Sequence, residues 1–171
     1  MHTGERQIKF RSARGFTFVE NIIAMGIVVL FFSSLYAINS QCLYLLSSGR
    51  GAVFAEQALQ DRMESLRSCT WYNLTNASYL QNNILNTTTT AGSNLGQPTE
   101  TIMLDNYPTP TGTPIQVTRT GRTVSIVSNN QTILNSDPGL LRANIIITWT
   151  QGTGSRVRTL STTSIISKIT Q

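Results

Sequence analysis

The chain has 171 residues, one histidine, two cysteines and a formal charge of +5, and these inventories mostly exclude. No nucleophile–base pair, glycine-rich phosphate loop or metal-ligand cluster is present, and Asp105 and Asp137 are too few for a calcium loop. The chain is therefore read as a non-enzyme with no metal and no cofactor.

Residues 1–15 form a basic leader with Arg6, Lys9, Arg11 and Arg14 against Glu5. Basic residues flanking an apolar segment hold that end in the cytoplasm, so the remainder should face outward. A secretory signal would end its apolar region at a small-residue cleavage site. Here the small residue, Gly15, stands in front of the apolar run instead. Cutting after Gly15 would remove the leader, including His2 and a net +3, and leave +2 of the formal +5.

The apolar run that follows contains one charge, Glu20, and then none from 21 to 49. A carboxylate in hydrocarbon costs about 2.5–3.5 kcal/mol on insertion scales, so Glu20 needs a partner. The densest part, 22–38, matches the roughly 20 residues of a bilayer-spanning helix. Residues 16–46 are expected to form a membrane or filament-core helix.

Residues 47–70 become one-sided. Ala52, Ala55, Leu59, Met63 and Leu66 recur at spacings of three and four, one face of a helix. The expected element runs from Phe16 to about Cys69, on the order of 80 Å at 1.5 Å per residue. Ser47, Ser48, Gly49, Arg50 and Gly51 are its expected weak point, where two glycines permit bending or melting. Cys42 and Cys69 would stand roughly 40 Å apart on this helix. A disulfide needs Cα atoms within about 7 Å, so no bridge between them is expected.

The residues Gly15-Phe16-Thr17-Phe18-Val19-Glu20 resemble the processing site of a type IV pilin-like precursor. Basic leader, small residue, aromatic residue, Glu and long apolar helix occur in the family's order. The resemblance implies cleavage by a prepilin peptidase between Gly15 and Phe16 and N-methylation of Phe16. It also implies that Glu20 neutralises the N-terminal amine during assembly, which agrees with the cost of an unpaired charge away from water. Glu20-Asn21-Ile22-Ile23-Ala24-Met25-Gly26-Ile27 is similar to the opening of minor pilins of the PilV type and of I-class minor pseudopilins of type II secretion. Ala37 stands where major pilins commonly carry proline, which points to a low-copy subunit. The partners implied are the peptidase, other pilin or pseudopilin subunits, an inner-membrane assembly platform and the lipid bilayer. Two alternatives stand beside this one: an uncleaved single-span protein with an exported binding head, and a DNA-uptake (competence) pseudopilin.

Residues 71–171 are expected to form the exported head. The Asn/Thr-rich stretch 71–100 reads as a long surface loop that cannot bury a core, anchored locally by Tyr79, Leu80, Ile84 and Leu85. Strand signals follow at 101–104, at 115–118 and 124–127 around Thr120-Gly121, and at 145–150 and 157–166 around Gly152-Thr153-Gly154-Ser155. Ile145, Ile147 and Trp149 share a face expected to pack on Leu59, Met63 and Leu66. Arg119, Arg122, Arg156 and Arg158 offer a basic face that a nucleic-acid backbone would accept, though solvated strand charges are the plainer reading. The fold class expected is α+β, a pilin-like helical spine with a small antiparallel sheet.

Overall fold

The computed structural model describes residues 17–110, 112–129, 139–151 and 156–168. Gly15, Phe16, Asp137 and the turn at 152–155 lie outside the described residues. The architecture is α+β: a long N-terminal apolar helix precedes a five-stranded antiparallel sheet, a pilin-like layout.

Helix α1 (Phe18–Arg67) is 50 residues long and runs through Ser47–Gly51 without interruption. The two glycines expected to weaken it behave differently. Gly49 faces open space, whereas a Cβ on Gly51 would lie 3.2 Å from Trp149 Nε1. Gly51 is thus where the indole lies against the helix, so packing offsets its entropic cost.

The chain divides into two compact units, one ending at Leu43 and one starting at Tyr44. In the first, every described side chain from Thr17 to Leu43 is exposed, including Ile22, Phe31 and Ile38. This segment satisfies its backbone internally but buries none of its apolar surface. By length and composition alone it can cross a membrane.

In the second unit the helix has a buried stripe of Ala55, Ala58, Leu59, Arg62, Met63 and Leu66. Ala52, expected on that face, is exposed. Four-residue helix α2 (Trp71–Leu74) and one-turn helix α3 (Ala77–Tyr79) follow. Asn76 caps α3 through its side-chain oxygen, which accepts from the amides of Ser78 and Tyr79. A π-helical turn (Leu80–Ile84) and a 3-10 turn (Gly92–Asn94) complete the connection.

That connection is not the surface loop its composition suggested. Leu74, Ala77, Leu80, Ile84, Leu85, Ala91 and Leu95 are all buried in the same core as the helix and sheet. The apolar residues are sparse but fall on the inner side of short turns, while Asn and Thr supply caps and hydroxyl hydrogen bonds to the backbone.

The strands are β1 (Gly96–Asn106), β2 (Ile115–Thr120), β3 (Thr123–Ser128), β4 (Leu140–Gln151) and β5 (Arg156–Ser167), in spatial order β3-β2-β1-β4-β5. β1 is longer than its sequence signal and lies at the centre, with β2 and β4 on either side. Burial alternates strictly along β2 and β4, the two-residue period of a sheet with one face covered. Ile145, Ile147 and Trp149 are buried in one cluster with Leu59, Met63 and Leu66.

The outward face is dominated by hydroxyl and amide side chains. Register pairs place Thr123, Thr120, Thr99, Thr148 and Thr159 in one row crossing all five strands. Thr148 and Thr159 share a hydrogen bond of 3.3 Å, and one row along Thr101 and Thr118 share one of 3.1 Å.

Candidate functional site

Two carboxylates carry the chemistry worth locating, one in each unit. Glu20 lies in the first turn of α1, and Thr17 immediately precedes the helix. The Glu20 Oε2 atom accepts from the Thr17 amide at 2.8 Å and from its hydroxyl at 3.0 Å. In return the Thr17 hydroxyl accepts from the Glu20 amide at 3.3 Å. This is a reciprocal capping box, in which a threonine and a glutamate three residues on satisfy each other's orphan donors. The Thr-x-x-Glu spacing signals it in the sequence.

The cap uses one oxygen of the carboxylate. Glu20 Oε1 has no hydrogen-bond partner among the described residues, and the side chain is exposed. A negative group also suits this end of a helix, where the backbone dipoles leave a partial positive charge. The first turn of α1 is therefore locally satisfied and still holds an open acceptor.

Glu100, in β1, is fully buried and was not singled out from the sequence. Its Oε2 accepts from Arg62 Nε at 2.8 Å and its Oε1 from Arg119 NH2 at 2.9 Å. Arg62 also donates to the carbonyls of Ile84 and Thr87, and Arg119 to the hydroxyl of Thr88. Two guanidiniums thus share one carboxylate and tie α1, β1 and β2 to the segment 84–88. Arg119 Nε is left without a partner.

This arrangement corrects the basic face expected from Arg119, Arg122, Arg156 and Arg158. Arg119 is 2% exposed and belongs to the buried cluster, while the other three are exposed. It points inward because it continues the Ile115, Val117 alternation of β2 and stands directly opposite Glu100 in register. On the outward face Asp105 pairs with Arg142 at 3.1 Å.

Both cysteines are free. Burial pushes the Cys69 thiol above its usual pKa, partly countered by a hydrogen bond with Tyr79. Among the described residues no group of three or more His, Cys, Asp or Glu side chains is placed to hold a metal. No family model, curated protein or solved structure matches this chain.

Proposed function

We propose that this chain is a minor pilin or pseudopilin, a structural subunit rather than an enzyme. It is made as a single-span inner-membrane precursor with its leader in the cytoplasm and its head exported. A prepilin peptidase cuts between Gly15 and Phe16, Phe16 is N-methylated, and an assembly platform adds the subunit to a type IV pilus or a type II secretion pseudopilus. The reading rests on one observation above all. A carboxylate with one oxygen unengaged among the described residues stands at the start of a helix segment whose apolar side chains are all exposed.

A segment with that much apolar surface needs lipid, or other apolar helices, around it. In either setting an exposed Glu20 is costly unless a cation meets it. The new amine of Phe16 on a neighbouring subunit supplies that cation on this reading. The capping box keeps the carboxylate at the helix start, and its second oxygen stays open to the partner.

Mass spectrometry of the purified mature protein is the test. An N-methylated Phe16 terminus is expected, and Gly15→Leu should leave the precursor uncut. Glu20→Leu should be inserted and cleaved but recovered poorly in sheared filament fractions. A mature chain that starts at Met1, or full cleavage of Gly15→Leu, overturns the assignment.

A further inference from the structure

Among its described residues the second unit has eight arginines, which separate into contrasting sets. Arg62, Arg119 and Arg142 are ion-paired. Arg50, Arg67, Arg122, Arg156 and Arg158 are exposed and form no ion pair among the described residues; Arg67, at the far end of α1, donates to the Ser164 hydroxyl at 2.9 Å.

The other four of these share one end of the unit. Arg122 lies in the β2–β3 turn, between register partners Thr120 and Thr123. Arg156 and Arg158 begin β5, paired in register with Gln151 and Trp149 at the close of β4. The β2–β3 turn and the adjoining ends of β4 and β5 lie at the same end of the sheet, because one threonine row crosses all five strands there. Arg50 joins them because its neighbour Gly51 meets the Trp149 indole. At about 4.8 Å per strand, the group spreads over roughly 20 Å of sheet edge.

No acid neutralises this end within the strands that form it. Residues 96–99, 119–124, 148–151 and 156–159 contain no Asp or Glu. The unit's described acids are Glu100 and Asp105, both paired, and Glu56, Asp61 and Glu64 further along α1. One polar contact is made: Arg158 Nε donates to Gln151 Oε1 at 3.2 Å.

Directly before Arg50 on the helix, Tyr44, Leu45 and Leu46 are exposed. Exposed apolar and aromatic residues followed by unpaired arginines form the profile of a membrane–water interface. Aromatic rings sit at headgroup depth there, and basic side chains meet the phosphates. No charged residue occurs from 21 to 49, so Arg50 is the first cation beyond the apolar run on the exported side.

We infer that this basic end is a docking surface for anionic phospholipid headgroups on the exported side of the membrane. It rests on the reading of the apolar N-terminal part of α1 as membrane-spanning. Before the subunit enters a filament, four guanidiniums on phosphates would seat the second unit on the bilayer. Leaving the membrane then requires breaking those contacts, each changing the lipid preference about fivefold.

The test uses the full chain in nanodiscs of phosphatidylcholine alone or with phosphatidylglycerol. Amide exchange at residues 119–124 and 156–159 should slow in the anionic discs, by about fivefold for each guanidinium contact that must break. The slowing should vanish in 1 M salt, where screening reaches about 3 Å. It should also fall sharply in R122Q/R156Q, with the melting temperature unchanged because both side chains are exposed and neither is ion-paired among the described residues. Salt reversal in the unaltered chain gives the answer even where the variant folds poorly. Equal exchange in both discs, with the chain still resistant to alkaline extraction, overturns the docking surface alone. Extraction of the chain by alkali removes the membrane-span reading and this surface with it. Binding to duplex DNA with no preference for the anionic disc would reassign the arginines to nucleic-acid phosphates.

Discussion

Glu20 and Glu100 show two ways for one protein to hold a carboxylate among apolar neighbours in the sequence. Glu20 is satisfied by its own helix, through a residue three positions away, and keeps an oxygen open. Glu100 is satisfied by arginines 38 and 19 residues away and keeps nothing open. The first is held by local contacts alone. The second is fixed by the tertiary fold and holds elements in register. The one is a local cap, and the other is a tie between distant elements.

The largest effect should come from breaking the closed site. Glu100→Gln leaves two buried guanidiniums sharing no negative charge, and loss of one partner from a buried ion pair costs about 3–5 kcal/mol. Chemical denaturation of the full chain in detergent measures it. Glu20→Gln, which touches only an exposed cap, should leave that transition in place. Equal losses would erase the distinction between the two sites.

A second comparison stays within the helix. Leu59→Asp forces an unpaired carboxylate into the core of the second unit and should cost about 3 kcal/mol or more. Gln60→Asp, one residue along and exposed, should cost less than about 0.5 kcal/mol. Comparable melting temperatures would mean that the buried stripe is misplaced.

The smallest effect sharpens the open site. Thr17→Val removes the hydroxyl that accepts from Glu20 and donates to it, a loss of about 1 kcal/mol for an N-cap. Faster amide exchange confined to residues 18–21 is expected. Unchanged exchange there would show that the carboxylate is not held by its own helix.

Much of the architecture was legible because two periods are plain in the chain. Spacings of three and four marked Leu59, Met63 and Leu66, and alternation marked Ile145, Ile147 and Trp149. The buried ionic cluster went unread although the same periods carry it. Arg62 falls on the apolar stripe, three beyond Leu59 and four before Leu66. Glu100 precedes Ile102 and Leu104 in phase, and Arg119 follows Ile115 and Val117. Two basic residues and one acid held in inward positions ask for one another, but polar residues were assigned outward by type. The connection 71–95 was misjudged for a related reason. Its composition is polar on average, while a few leucines at turn-spaced positions suffice to bury it. The capping box was missed because Glu20 already had a remote role to explain it. The convergence of Arg50 with Arg122, Arg156 and Arg158 depends on strand order and on Gly51 meeting Trp149, which no local pattern encodes.

The threonine row across the sheet has a consequence for how this molecule responds to its medium. Hydroxyls neither gain nor lose protons over the range cells experience, and counter-ions do not gather on them. The threonine-rich part of the outward face therefore presents the same surface in dilute acid and in seawater-strength salt. Against that constant background, a response to ionic strength must come from elsewhere on the unit. The threonine row is thus the part of the sheet whose surface is the same in every ionic medium, with four of the exposed guanidiniums gathered just beyond it.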